Sequence, residues 1–528
     1  MHQNKWTSPA LYCQHARQSA LTLYELYGIP PSNLPPRVAI VIPVYNGARY
    51  LAMAVESALA QDYPDIQVII VNDGSTDETG SIAQQYVGDP RVKYIEKDNG
   101  GVATALNAGV QAMDASFFCW LSHDDVYYPT KISTQIGYYQ IFHPGENVVL
   151  FSDYDLINSQ GTVIQRVAHD HGMLESQPEY AILRGRVHGC TVLVPRGFFD
   201  EIGLFDPNLP YTQDYDLWSR ALSLYRFVHI PEALIQSRWH DEQGSKKGDY
   251  SREFNSLWIS VMNRTTPEQR IALEGNEYLF YTGMEQFLHQ ASATDAANHA
   301  ADMAARTVRD TLVSVVIPFH RNLQQLRAAI GSVLAQTHQN TEILVVYDEA
   351  DQDISCAVPE GMLGVRVFGF KQDGRGAGSA RNYGIQKARG HYIAFLDSDD
   401  LFLPTKIETQ LTLMMRNRAR FSHTSYFAHG QTRVLPSALH SSGTFSGCVF
   451  PGIINFCPVA MPTVMVEKQL VAEQYPLPND APNCEDFVWL VRMSHEIEVL
   501  GIDEPLTVVL ITPDSVAYSR DRPLRYLR

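Results

Sequence analysis

The sequence predicts an α/β protein built from two tandem copies of one mostly parallel, Rossmann-like sheet domain, joined by a helical segment. Three observations carry that prediction. First, "VAIVIPVYNGARYLAMAVESALAQDYPDIQVIIVNDGS" from Val38 recurs as "VSVVIPFHRNLQQLRAAIGSVLAQTHQNTEILVVYDEA" from Val313, an offset of 275 residues. The same offset takes Pro43 to Pro318, Gln61 to Gln336, Asp73 to Asp348, Asn107 to Asn382, Asp124 to Asp399 and Lys131 to Lys406 without a gap. A period that long means a duplicated domain and not a solenoid. Second, short β-branched runs alternate with stretches of helical apolar spacing in each copy, the pattern of a parallel sheet covered on both faces. Third, 528 residues of ordinary apolar and charged content supply more than one core.

The elements follow in order. "VAIVIPV" and "LVSVVIPF" are buried strands bounded by Pro. "ARYLAMAVESALAQ" and "LQQLRAAIGSVLAQ" have the spacing of amphipathic helices. A second strand ("IQVIIV", "TEILVV") and a third ("VKYI", "VRVFGF") come next. A helix through "ATALNAGVQAM" or "SARNYGIQKA" precedes the fourth strand, "SFFCWL" or "HYIAFL". That strand runs into "SHDD" in one copy and "DSDD" in the other. Ligands of such sheets bind beyond the carboxyl ends of the strands, so Asp73, Asp348 and both Asp-Asp pairs are expected to line one crevice per copy. The expected boundaries are a helical N-terminal extension at 1–36, a first domain at 37–250, a helical linker at 251–311 and a second domain at 312–528.

Composition excludes some functions. A net charge of −17 argues against nucleic acid as a main partner, because phosphate backbones need a basic stripe. The seven cysteines are scattered, with no Cys-x-x-Cys, and read as reduced thiols. The start "MHQNKWTSPALYCQHARQ" has no apolar signal core, and no apolar run reaches the length of a membrane span. A cytoplasmic protein is expected, with peripheral attachment at the inner face of the membrane left open.

Five short strings recur in one order. The first copy has "IPVYNG", "NDGSTD", "NGGVATALNAGV", "SHDD" and "QDYDLW". The second has "IPFHRN", "YDEADQD", "GSARNYGI", "LDSDD" and "CEDFVW". In this order they resemble family-2 glycosyltransferases with the GT-A fold, the nucleotide-diphospho-sugar transferase fold, over most of the chain. The two-domain layout is similar to that of bacterial chondroitin polymerases.

The resemblance implies transfer of a sugar from a nucleotide-diphosphate donor, a UDP-sugar first among them, to a growing glycan or lipid-linked acceptor. A diphosphate leaving group gains charge as the glycosidic bond breaks, and a divalent cation, Mn2+ or Mg2+, would neutralise it. Asp124, Asp125, Asp397, Asp399 and Asp400 are the candidate ligands, with His240 of "SRWHDEQGS" joining them in the first copy. The structural alternative for the Asp pairs is a helix cap, and for a lone His an ordinary packed ring. Asp73 and Asp348 would contact the nucleoside, although an Asx-turn would explain them too. Pro43, Tyr45 and Pro318 would flank the donor, with His320 in the second copy where the first has Tyr45. Asn107, Arg381 and Asn382 are further donor candidates that could equally serve helix packing.

Asp214 and Asp486 are the candidate general bases, taking the proton of the attacking hydroxyl. An acidic first helical turn would explain them as well, and explains Asp216 better. "HDHG" at 169–172 reads as two solvated imidazoles in a loop. The reaction expected is a metal-dependent inverting transfer, in one domain or both. Ser122 where the second copy has Asp397, and "YDEA" where the first has "NDGS", leave open that one domain only binds or supports. A nucleotidyltransferase would need a Gly-rich basic loop after the first strand, which "IPVYNGARYL" is not.

Overall fold

The computed structural model describes residues 36–142, 147–240, 250–347, 353–372, 376–430, 445–455, 457, 459–478 and 485–511. The expected N-terminal helical extension and Asp348 lie outside the described residues. The chain divides into two compact units: 1–266 with 284–299, and 267–283 with 300–528.

In the first unit, β1 (Val38–Val44), β2 (Ile66–Asp73), β3 (Val92–Lys97) and β4 (Phe117–Trp120) form a parallel core in the order β3-β2-β1-β4. The short β8 (Val194–Pro195) closes the edge antiparallel to β4. All seven residues of β1 are buried, which is why the strand is continuously apolar instead of alternating. A second sheet has the order β5-β9-β6-β7, from β5 (Val126–Tyr127), β6 (Val148–Ile157), β7 (Val163–Val167) and β9 (Arg226–Arg238).

The second unit repeats this frame as one sheet, ordered β12-β11-β10-β13-β16-β15-β17-β14. Its strands are β10 (Val313–Phe319), β11 (Thr341–Tyr347), β12 (Val367–Lys371), β13 (Tyr392–Phe395), β14 (Leu401–Phe402), β15 (Phe421–Gly430), β16 (Met465–Glu467) and β17 (Leu500–Ile511). The registers match residue for residue. Val38 pairs with Ile66 and Phe117, and Val313 pairs with Thr341 and Tyr392, each at the offset of 275. Past the acidic turn the offset falls to 272: Phe117 pairs with Pro195, and Tyr392 with Glu467. Val126 pairs with Gln236, and Leu401 with Val508.

One glycine position shows how tightly the copies are built. A Cβ on Gly109 would stand 2.3 Å from Val41 Cγ1, and one on Gly384 would stand 2.4 Å from Val316 Cγ1. Only glycine lets the helix Val102–Ala112, or its counterpart Ala377–Lys387, lie that close to the central strand.

Residues 250–310 contain the helices Tyr250–Arg264, Pro267–Glu274, Glu277–Gln290 and Thr294–Asp310. No helix among the described residues is long and apolar enough to cross a membrane.

Candidate active site

In the first unit one cleft is lined by Pro43, Tyr45, Asp73, Asp124, Asp125, Asp214 and His240. Arg49, Arg186, His188 and Cys190 line it as well. Elements distant in sequence therefore bring most of the expected residues together, at the carboxyl ends of β1, β2 and β4.

Each side chain is held for a local reason. Asp73, at the end of β2, accepts from Lys97 Nζ at 2.5 Å, Gly100 N at 3.1 Å and Gly101 N at 2.8 Å. Its carboxylate thus pins the turn that starts the helix Val102–Ala112, where Gly101 takes a positive φ of 86°. Tyr45 is 48% exposed at the end of β1.

After β4 the chain turns through Ser122–Asp125, with Asp125 N donating to Ser122 O at 3.1 Å. Asp124 Oδ2 and His240 Nε2 stand 2.9 Å apart, joining this turn to the chain just past β9. His240 Nδ1 is buried with no hydrogen-bond partner. A carboxylate and an imidazole with an unspent ring nitrogen are a donor set that fits a divalent cation. Asp125 is more committed: its Oδ1 accepts from Arg238 N at 2.8 Å, tying the turn to β9. Burial, and then the charge of Asp124, push the Asp125 carboxyl well above its ordinary range.

Asp214 sits in the first turn of the helix Gln213–Ala221 and accepts from Tyr215 N at 2.8 Å. The start of that helix is anchored by Glu253, which accepts from Tyr211 N at 2.9 Å, Thr212 N at 2.7 Å and Thr212 Oγ1 at 2.8 Å. Burial raises the Asp214 carboxyl to about 6, despite the backbone hydrogen bonds that lower it. A carboxylate with that affinity for a proton suits a general base near neutral pH. Asp216 is spent elsewhere, in ion pairs with Arg220 at 3.0 Å and Arg264 at 2.9 Å.

Asn107 is not among the residues that line the cleft. Its amide donates to Phe205 O at 2.8 Å and accepts from Phe205 N at 3.0 Å. Asn382 does the same with Leu477 O at 2.8 Å and Leu477 N at 2.9 Å. Both amides brace a loop against a helix, the packing role that the sequence offered beside a donor contact. "HDHG" also departs from its reading as solvated. His171 Nδ1 lies 3.3 Å from His229 Nδ1, and His229 Nε2 lies 2.8 Å from Asp153 Oδ1. His169 N donates to the same Asp153 oxygen at 3.0 Å.

The second unit has a different charge layout. Arg381, 5% exposed, pairs with Asp397 Oδ1 at 2.6 Å. Its other terminal nitrogen lies 4.0 Å from Glu485. Asp400 Oδ1 accepts from Leu510 N at 2.7 Å, the counterpart of the Asp125–Arg238 bond. Burial and Asp397 push the Asp400 carboxyl well up, and the same two causes raise Asp399. Asp486 accepts from Phe487 N at 2.7 Å, as Asp214 does from Tyr215. Pro318 lies in β10 at the position of Pro43.

Sequence reasoning missed His188 and Cys190. With Asp125 they form a group whose candidate ligand atoms all lie within 4.8 Å of one another. The 272-residue offset would have flagged them, because "HGCT" at 188–191 then aligns with "AMPT" at 460–463.

Comparison with known proteins supplies the family. The model of Glycosyl transferase family 2 matches residues 39–177 and again 314–450. An uncharacterized glycosyltransferase of Rickettsia bellii (strain RML369-C) is 41% identical over 493 residues, 92% of this chain and 71% of that protein. The chondroitin synthase of Pasteurella multocida (strain Pm70) is 24% identical over 318 residues, 59% of this chain and 32% of that protein. The solved structure of S. aureus TarS 1–349 with UDP aligns at 17% identity and a TM-score of 0.35, over 48% of this chain and 70% of that one. The duplicated sheet, the repeated acidic turn and a family match in each copy make the chain a member of glycosyl transferase family 2, with two tandem GT-A domains.

Proposed function

We propose that the first domain, at 37–250, transfers a sugar from a nucleotide-diphosphate donor to a glycan or lipid-linked acceptor, with inversion and with a divalent cation. The observation that carries this reading is the meeting of Asp124, His240 and Asp214 on one cleft. Asp124 and His240 would hold the cation, which would offset charge on the leaving diphosphate. Arg49 and Arg186, on the same walls, would meet the donor's phosphates. Tyr45 would pack on the base, and Asp73 would present the nucleoside to a turn it keeps rigid. Asp214 takes the proton of the acceptor hydroxyl as that oxygen attacks the anomeric carbon. One displacement with no enzyme nucleophile inverts that carbon.

The second domain, at 312–528, supports a second transfer with its own donor. Asp486 repeats the Asp214 geometry, with the same bond to the next residue's amide. Arg381 pairs with Asp397 of the acidic turn, where the first domain has Leu106 and Ser122. The two domains are separated by measuring nucleotide release from a panel of nucleotide sugars with Asp214→Asn and Asp486→Asn. Loss of one donor's turnover in each variant supports two transferases. Loss of all turnover in Asp214→Asn alone leaves the second domain a binding or structural module. Release that survives Asp214→Asn undiminished, or that needs no divalent ion, overturns the reading of the first domain.

A further inference from the structure

We propose that Asp125, His188 and Cys190 form a second cation site in the first domain, one selective for a thiophilic divalent ion such as zinc. The site is distinct from the Asp124–His240 pair. It uses a carboxylate from the acidic turn and two side chains from the segment leading into β8, and all three line the cleft.

The ligand chemistry differs from an oxygen-rich magnesium or manganese site. A thiolate, an imidazole and a carboxylate match zinc, which takes Cys at about 2.3 Å and His or Asp at about 2.0–2.2 Å. Around such an ion the ligand atoms stand roughly 3.3–3.8 Å apart. The present spread of up to 4.8 Å closes with movements of about 1 Å.

Both nitrogens of the imidazole have partners, and they fix the ring beside Cys190. Cys190 N donates to His188 Nδ1 at 3.3 Å, so the neutral ring carries its proton on Nε2, which lies 3.2 Å from Ser237 Oγ. An ion would take the Nδ1 lone pair in place of this long bond from Cys190 N, while Ser237 Oγ holds the Nε2–H. The ring also packs on Tyr154, with centroids 4.8 Å apart. Cys190 Sγ is 3.3 Å from both Ser122 N and Ser122 Oγ. On binding, the Cys190 S–H and Asp125 O–H bonds break, both protons leave to solvent, and sulfur–metal and oxygen–metal bonds form. The dication then balances one thiolate and one carboxylate, so the buried centre carries no net charge.

The repeat shows that the fold does not require these side chains. The second unit builds the same short turn, with Thr463 N donating to Ala460 O at 2.9 Å as Thr191 N does to His188 O at 2.9 Å. There Ala460 and Pro462 stand for His188 and Cys190, while Asp400 keeps the role of Asp125.

The test is cobalt titration of the full chain after chelator treatment, because a cobalt–thiolate bond gives a near-ultraviolet charge-transfer band that oxygen and nitrogen ligands do not. One equivalent of cobalt is expected to raise the band and zinc to bleach it. Cys190→Ser is expected to abolish the band, whereas Cys356→Ser, at an exposed thiol of the other unit, leaves it. Zinc affinity in Cys190→Ser is expected to fall by more than the roughly 10–100-fold that loss of an outer-shell partner costs. Zinc-edge X-ray absorption on the unaltered chain needs no variant, and one sulfur in the zinc shell is expected. No band, a band that survives Cys190→Ser, or a zinc shell without exactly one sulfur would overturn the proposal.

Discussion

The two domains share a sheet, a register and an acidic turn, yet they neutralise that turn differently. In the second, Asp397 leads the turn and Arg381 pairs with it at 2.6 Å. At the 275-residue offset the first domain has Ser122 and Leu106 at these positions. The acid and its partner cation differ together. At these positions the first domain has neither the acid nor the guanidinium that pairs with it in the second. The first domain instead places Cys190 against Ser122 and brings His240 to Asp124. Duplicated sites diverge by exchanging whole interacting sets, since a half-exchanged ion pair leaves an uncompensated charge.

The sharpest way to break this comparison is to remove the proposed bases, Asp214 and Asp486, one at a time. Asp214→Asn keeps the size of the side chain and is expected to cut turnover in the first domain by about 10²–10⁴-fold. Asp486→Asn should leave that donor's turnover intact and silence a second donor. Nucleotide release under saturating donor reads both. Equal losses for every donor in both variants would mean that the domains act as one site.

The next largest effect concerns the cation. Asp124→Asn removes the carboxylate that meets His240, and the manganese concentration for half-maximal activity is expected to rise by about 100-fold. Asp399→Asn should not move that value for the first donor. A shift of similar size in both variants would argue that the two turns do not serve separate donors.

A third experiment tests the exchanged pair itself. Arg381→Leu leaves Asp397, one-third exposed, beside Asp399 and Asp400 without its cation. A loss of about 1–3 kcal/mol in stability is expected, less than for a fully buried pair. Adding Asp397→Ser recreates the first domain's combination and should restore most of that loss, as denaturant midpoints would show. A double variant no more stable than Arg381→Leu would show that the two positions are not coupled.

Much of this architecture was legible in the sequence, because buried parallel strands write themselves as continuous apolar runs and a gapless offset transfers the registers of the strands up to the acidic turn from one copy to the other. Pro43, Tyr45, Asp73, Asp124, Asp125, Asp214 and His240 were legible as a group because strand ends converge in such a sheet. The partners were not. Nothing local shows that Asn107 meets Phe205, that His171 meets His229, or that Arg381 meets Asp397. Those pairings join residues far apart in sequence, and a side chain's role depends on whether such a partner has already used its hydrogen bonds. His188 and Cys190 were hidden for a further reason: their alignment to the second copy requires the offset to change from 275 to 272.

The smallest effect is also the most specific. Burial raises the Asp214 carboxyl to about 6, where an ordinary aspartate has 3.8. A base must be ionised to act, so kcat/KM for the first donor is expected to fall about tenfold per pH unit below that value and to level off above it. Stability responds in the opposite sense. A carboxyl raised in the folded state binds its proton more tightly there than in the unfolded chain. Its contribution to stability is therefore complete below 3.8 and is lost as pH rises through about 6. Acidification from 7 to 5 thus lowers activity while this group favours the folded state, and unfolding driven by Asp214 cannot account for the acid limb. In Asp486→Asn the acid limb for the first donor should keep its midpoint near 6. An unchanged acid limb in residual Asp214→Asn activity would assign the proton to another group and remove Asp214 from the reaction.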